Sequence, residues 1–446
     1  MNARGRTEAP MRSVYLVASA ALLPLASAFF LVERYAVCNM MYPCSRFFNR
    51  LITPGSSRVY ASMHRQFGSA DRLPRWIDKN QHIAIVGGGL AGLSVAYQLL
   101  KKTKGEIQLT IIDKARPGEG GASSVAGGLL HPFSPRGKLI HMGMEGLESS
   151  ARLIDIAQQF QPGCVLRDRL YRVALSDENV KQLMSTANTY PELASWLGPE
   201  DIEKLCGARS FGGLVLTGGC KVIHVSSYLK GLWEACRDIS SNNAQWILEK
   251  QDDAIDWKER LSGFDTVVLA AGSGMFQDYI LRQDAEDFPA EMVRGQSIEM
   301  NVPESYEHKN EAVLCGKYIA PMIEKKLILI GATHEYKTQA MSEQEVWDEL
   351  KDRSYELSPD LWDFGRASRI TSGYRVQSKR GKYGRMPIVG RSCGDIHDDA
   401  WLCTGLSSRG LIYHGIFGDL LTDSIVAGDE NAMLERNAEL LWWKKR

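Results

Sequence analysis

The sequence predicts a mixed fold, α/β with α+β character. A discontinuous dinucleotide-binding domain of Rossmann-like type alternates along the chain with an antiparallel-sheet domain. Three stretches predict it: an apolar strand, glycine turn and helix over 82–100, a second buried strand ending on a glycine at 272, and alternating strands over 290–335. With 446 residues, 44% hydrophobic and 24% charged, the chain is long enough for two cores of ordinary globular composition.

The front end reads differently from the body. Residues 1–79 hold eleven Lys/Arg against four Asp/Glu, a balance of +7 that the remainder offsets to a net charge of zero. Arg4, Arg6 and Arg12 precede an apolar run, Val14 to Val32, that contains the small-x-small site Ala26-Ser27-Ala28. This reads as a signal peptide over 1–28, with a retained membrane anchor as the less favoured alternative. Residues 29–75 carry Arg, Ser, Met and aromatics but only two acids, Glu33 and Asp71, which is transit-like composition. The pair resembles the bipartite presequence of algae with complex plastids, which implies import into the plastid (chloroplast) stroma. Nine scattered cysteines with no C-x-x-C spacing suit reduced thiols better than a disulfide framework, and no metal spacing is present.

Past the presequence, Ile83 to Val86 form a buried strand, and Gly87, Gly89 and Gly92 follow in G-x-G-x-x-G spacing. The first glycine permits the tight turn, the second lets backbone approach a pyrophosphate, and the third lets the helix sit close on the strand. Asp113 ends a second strand 21 residues after Gly92, where a ribose hydroxyl partner belongs. A loop with five glycines between 118 and 128 then carries Ser123 and Ser124, whose hydroxyls suit a pyrophosphate, and Gly128.

Downstream, 142–160 reads as a helix, 168–176 as a strand, and 178–205 as polar and helical, interrupted by Pro191 and Pro199. A helix over 226–236 and strands at 244–248 and 264–271 follow, the last ending at Gly272, where backbone can approach a cofactor. The pattern switches to alternating strands over 290–335, then to an acidic helix at 341–356. It returns to a buried strand at 401–404, the turn 405–410 and a final helix to Ala427. The domain assignment is therefore 80–165, 218–280 and 366–435 for the cofactor domain, with 166–217 and 285–365 for the substrate domain.

Motifs in this order carry a resemblance. The glycine motif with Asp113, Ala122-Ser123-Ser124-Val125-Ala126-Gly127-Gly128, the strand ending at Gly272, Val293-Arg294-Gly295-Gln296, Tyr318-x-x-Pro321, Gly373-Tyr374-Arg375 and Gly405 to Leu411 resemble the D-amino-acid oxidase superfamily of FAD-dependent oxidoreductases. The similarity spans about 82–430. Within it, Gly331-Ala332-Thr333-x-Glu335 with Ser408-Arg409-Gly410-Leu411 looks most like the flavin domain of the bifunctional tRNA 5-methylaminomethyl-2-thiouridine biosynthesis protein. The chain has no room for that protein's methyltransferase half, so only the oxidase step is expected.

The resemblance implies non-covalently bound FAD, with Ser408, Arg409 and Gly410 before the final helix facing the flavin's pyrimidine carbonyls. It makes Arg375 the residue that grips a substrate carboxylate by a bidentate fork, a geometry lysine lacks. Tyr318 lines the pocket or orients that carboxylate. His131 reads first as a structural histidine, with a place near the flavin ring as the alternative. One departure stands out. Relatives usually carry an acid shortly before the proline of this region, whereas here the segment reads Lys382-Tyr383-Gly384-Arg385-Met386-Pro387.

Residues 373–391 also hold Arg375, Lys379, Arg380, Lys382, Arg385 and Arg391 and no acid, a cluster suited either to RNA phosphates or to solvent. Three functions stay open: oxidation of an N-substituted glycine, including the carboxymethylaminomethyl group of tRNA wobble uridine; a small-molecule glycine, sarcosine or amino-acid oxidase or dehydrogenase; and a flavin-bearing plastid assembly protein without turnover. One fold hosts all three.

Overall fold

The computed structural model describes residues 80–241, 243–249, 255–277, 288–336, 339–393 and 395–444, so the expected presequence lies outside the described residues. Its first sheet is the parallel one. Strand order runs Ala244–Leu248, Gln108–Asp113, His82–Val86, Thr266–Leu269, Ala400–Thr404, with Ile388–Arg391 antiparallel at the edge. His82–Val86 is apolar throughout its buried part because both sheet faces are covered. Helices Leu90–Lys102, Gly143–Phe160, Val225–Ile239 and Gly410–Ala427 pack together over one face. Trp257, Leu261, Met275, Phe288 and Trp443 close the other.

The helix Leu90–Lys102 sits on the strand as closely as backbone permits. A Cβ added at Gly92 would stand 1.8 Å from the Gly87 carbonyl oxygen. Gly87 itself has φ +100 and donates its N–H to Ile112 O at 2.8 Å, which ties the turn to the neighbouring strand.

The second sheet has eight strands in the order Arg366–Ser378, Ala290–Asn301, Leu327–Gly331, Lys317–Pro321, Val313–Cys315, Leu170–Val173, Gly213–Leu216, Ala194–Leu197. All neighbours are antiparallel except Val313–Cys315 against Leu170–Val173. Ile298, Ile319 and Ile330 point to a core closed by Val346, Leu350, Leu361 and Trp362 from the helices Glu343–Ser354 and Pro359–Phe364. Because side chains alternate along a strand, Ser297, Tyr318 and Gly331 face the opposite way, toward the parallel-sheet half. The acidic helix begins in a capping box between Ser342 and Glu345.

Two expectations change. The polar stretch 178–205 contains a strand, Ala194–Leu197, between the helices Asp177–Thr189 and Pro199–Cys206. The segment assigned to the cofactor domain from 366 begins instead with the thirteen-residue strand Arg366–Ser378 of the antiparallel sheet, paired along Ala290–Asn301. Chain order misleads here because only from Ile388 does the backbone rejoin the parallel sheet.

The contact at Gly92 yields a direct expectation. Gly92→Ala forces the helix off the strand, costing about 1–3 kcal/mol of overpacking strain. Denaturant unfolding should show this loss together with weakened flavin retention, and an unchanged midpoint would refute the contact.

Candidate active site

A cleft of about 900 Å³ separates the C-terminal ends of the parallel strands from the free face of the antiparallel sheet. Gly87, Gly89, Asp113, Ser123, Gly128, Gly272, Tyr318, Arg375, Ser408, Arg409 and Gly410 all line it. Gly92 does not; its place is under the helix, as the close-packing argument requires. Ser124 does not line it either. Ser124 belongs with Ser123 to the short helix Gly121–Ser124. The Ser124 hydroxyl donates to Gly121 O at 3.0 Å.

At one end stands the opening of Leu90–Lys102, which has no side-chain cap of its own. Ser123 Oγ accepts the Leu90 N–H at 3.3 Å. Asp113 Oδ2 accepts the Gly88 N–H at 2.6 Å and its Oδ1 the Ala115 N–H at 2.8 Å, fixing the carboxylate against the glycine turn. Gly272 has φ +56, and a Cβ built there would meet no protein atom within 4 Å, so it would project into the cleft.

The other end is formed by the turn 405–410 and the start of the helix Gly410–Ala427. Ser407 adopts φ +56 and donates to Gly405 O at 3.3 Å, so neither serine caps the helix. Gly410, Leu411 and Ile412 line the cleft with the first-turn backbone. The site thus opens onto two helix N-termini, each favouring negative charge or electron-rich oxygen. Helix starts without a side-chain cap from their own N-cap residues at both ends, glycine floors between them and an acid placed for a ribose match an extended dinucleotide carrying a flavin, and FAD fits.

The antiparallel sheet supplies the polar face above. Arg375 folds back over Gly295 on the adjacent strand, where a Cβ would stand 2.5 Å from its Nη2. Its Nη2 donates to Thr333 O at 2.8 Å, and its Nη1 lies 3.3 Å from His334 Nε2. No carboxylate among the described residues pairs with it. Burial lowers its pKa more than the nearby Tyr318, Tyr336 and Glu335 raise it, leaving a charged fork aimed at the cleft. Tyr318 packs its ring over Gly127 and Gly331, with Oη 3.4 Å from Ser297 Oγ.

Beyond Arg375, the basic segment divides. Lys379, Arg380 and Lys382 are exposed. Arg391 instead pairs with Asp399 at 2.7 Å and stacks on Trp401, and Arg385 donates to Ser378 O. The exposed three sit on the turn at Gly381 and Gly384, and Gly384 borders Arg409.

Two wall residues escape the sequence reading. His334 supplies the second contact to Arg375, and loss of solvation, then the charges of Arg375 and Lys317, push its pKa down to about 4. It is thus a neutral acceptor at neutral pH. Arg172 is buried in the cleft wall, although it lies in the otherwise apolar strand Leu170–Val173. A charge within an apolar run was the available signal. His131 also lines the cleft, its Nδ1 accepting the Phe133 N–H at 3.2 Å, so it is both structurally held and exposed to ligand. Among the described residues, no group of three His, Cys, Asp or Glu can hold a metal ion, and no helix is long and apolar enough to cross a membrane.

Fold and cleft together define a flavin-dependent oxidoreductase. The family model of DAO, FAD dependent oxidoreductase, matches residues 82–424, and the chain belongs to that family. Among solved structures it is similar to glycine oxidase from Geobacillus kaustophilus, at 21% identity and TM-score 0.59, covering 79% of this chain and 95% of that one. Glycine oxidase from Bacillus cereus aligns at 19% identity and TM-score 0.62, covering 80% and 97%. Iminodiacetate oxidase from Chelativorans sp. aligns at 17% and 0.59, covering 78% and 95%. No curated protein sequence matches the chain.

Two deeply set histidines predict a pH dependence. Burial pushes His131 down to about 3 and His414 to about 4; His414 Nε2 lies 2.6 Å from the Tyr228 hydroxyl. Between about pH 6.5 and 4 the unfolded chain takes up two protons that the folded protein refuses, so stability falls as pH falls. The slope approaches roughly 2.7 kcal/mol per pH unit from this pair. Urea unfolding of the holoprotein across pH 4–7.5 checks it, and His414→Gln should lower the slope by about 1.4 kcal/mol per pH unit.

Proposed function

We propose that the chain oxidises an N-substituted glycine, an amine carrying a carboxylate one carbon from the reacting nitrogen. The observation that carries this reading is Arg375: a half-buried guanidinium on the cleft wall, held by a carbonyl and a neutral imidazole, with no acid among the described residues at ion-pair distance and Glu335 acting on it only from farther off. A buried cation without a counter-charge is costly unless its ligand supplies one.

The glycine floor and the two helix N-termini would hold FAD, which supplies a two-electron acceptor when bound. Arg375 forks the substrate carboxylate, and Thr333 O with His334 Nε2 fixes the plane of that fork. Tyr318, pinned between Gly127 and Gly331, walls the space beside it and excludes water. Orientation of the substrate C–H is therefore the protein's main contribution. Loss of a hydride (two electrons and a proton) from the neutral amine leaves a protonated imine, and water splits it to glyoxylate and the protonated primary amine. In this reading oxygen takes up the electrons. FAD is bound without a covalent link in this reading, and burial keeps the Cys403 thiol on the cleft wall protonated, its pKa pushed up to about 12.

A second reading places the amine on tRNA, as a carboxymethylaminomethyl group on wobble uridine. Lys379, Arg380 and Lys382 favour it, because these exposed cations stand on the turn that borders Arg409 at the cleft. The N-terminal composition supports a plastid setting for either substrate.

Arg375→Ala should lower kcat/KM for N-methylglycine by roughly 100-fold or more, the loss of about 3 kcal/mol of charge-assisted hydrogen bonding. Arg375→Lys should recover only part of it. Anaerobic flavin bleaching by sarcosine that is unaffected by Arg375→Ala would overturn the assignment.

Neutralising Lys379, Arg380 and Lys382 together should slow bleaching by undermodified tRNA, flatten its salt dependence and leave sarcosine unchanged. Bleaching by free amino acids but never by such tRNA would remove the second reading.

A further inference from the structure

Arg172 raises the same electrostatic question as Arg375 at a different place in the cleft. It is 3% exposed, and burial lowers its pKa to about 10. Its Nη1 donates to Pro135 O at 3.2 Å, its Nε is buried with no partner, and no carboxylate among the described residues pairs with it.

The neighbouring histidine sharpens the point. His131 Nδ1 accepts the Phe133 N–H, so in the neutral ring the proton resides on Nε2. That Nε2–H faces Arg172 Nη2 at 3.4 Å, and a guanidinium only donates. Two donors therefore meet with no acceptor between them. An oxygen about 2.8 Å from each nitrogen completes the triangle, and an anionic oxygen also neutralises the arginine. Arg409 lies close enough to help depress His131, adding positive potential at the same spot.

We propose that Arg172 and His131 form a second anion subsite, so that the substrate is an amine with two anionic groups, one carboxylate on Arg375 and a second carboxylate or phosphate on Arg172. This deepens the proposed function and rests on it. Sheet geometry sets the spacing. Five strand-to-strand steps separate the strands of Arg172 and Arg375, each about 4.8 Å. Arg375 folds back over Gly295, and Arg172 stands in the row that continues through Leu314 and Tyr318. With Arg375 leaning one strand nearer, about four strand steps, on the order of 19 Å along the sheet, separate the two guanidinium sites. The second group is thus remote from the oxidised carbon, and the site selects for the far end of the N-substituent.

The test is ligand binding to the oxidised holoenzyme, read from the flavin absorbance. Straight-chain monocarboxylates, α,ω-dicarboxylates and ω-phosphonocarboxylates of four to twelve carbons are titrated into wild type, Arg172→Gln, Arg172→Lys and Arg375→Gln. The expected result is a length optimum among the doubly charged ligands, which bind about 10- to 100-fold tighter than monocarboxylates of equal length. Arg172→Gln should abolish that advantage while leaving monocarboxylate affinity within about twofold; Arg172→Lys should restore part of it. Whether phosphonates or dicarboxylates gain more identifies the second group.

The proposal is overturned if wild type shows no advantage for doubly charged ligands. It is also overturned if Arg172→Gln shifts the flavin spectrum or potential without changing that advantage, which would make Arg172 a partner of the cofactor. Monocarboxylate binding that is indifferent to Arg375→Gln would instead sink the underlying function, so the two failures are distinguishable. Should Arg172→Gln fail to retain flavin, the same comparison is made in Arg172→Lys and His131→Gln, each of which should lose selectivity for doubly charged ligands.

Discussion

Everything in the cleft depends on how near the helix Leu90–Lys102 comes to the strand before it. Gly92 leaves no space for a single carbon against Gly87 O, so the helix start is delivered to the C-terminal edge of the sheet with no side-chain cap from its own N-cap residue. The remaining pieces are referenced to that point. Asp113 is braced by Gly88 N–H, Ser123 by Leu90 N–H, and the last helix packs against the first through Ser94, whose hydroxyl donates to His414 O at 2.7 Å. Two helix N-termini can share one cleft because their helices are bonded side by side.

The two sheets divide the chemistry. The parallel sheet presents backbone: glycine turns, helix starts and strand ends, which recognise the invariant parts of a large cofactor through shape and N–H donors. The antiparallel sheet presents side chains: Arg172, Tyr318 and Arg375 stand on strands tied by long-range pairing, and in the function proposed above these positions decide what is oxidised. A cofactor site built from backbone tolerates little change, whereas a substrate face built from side chains can vary residue by residue.

This division also explains what the sequence made legible. The glycine motif, Gly272 and the turn before the last helix were readable because each requirement is met within a dozen consecutive residues. Arg375 was reached through its motif. The strand that carries it was not, because Arg366-Ala367-Ser368-Arg369-Ile370-Thr371 has no alternation to detect; it is an edge strand, where charges are favoured. Arg172 and His131 were separately visible, but their encounter is made by folding across 41 residues. Ser124 does not reach the cleft that Ser123 lines; its hydroxyl turns back to Gly121 O, a contact that the sequence does not mark.

The space above the flavin site is shaped by side chains that are missing. Gly127 and Gly331 hold the Tyr318 ring, Gly295 admits Arg375, and a Cβ at Gly373 would stand 2.7 Å from Val125. The cavity is therefore a cast of absent methyl groups. A gain of one carbon at any of these points moves a whole ring or guanidinium, so specificity in this cleft is positioned to shift in large discrete jumps and not by gradual tuning.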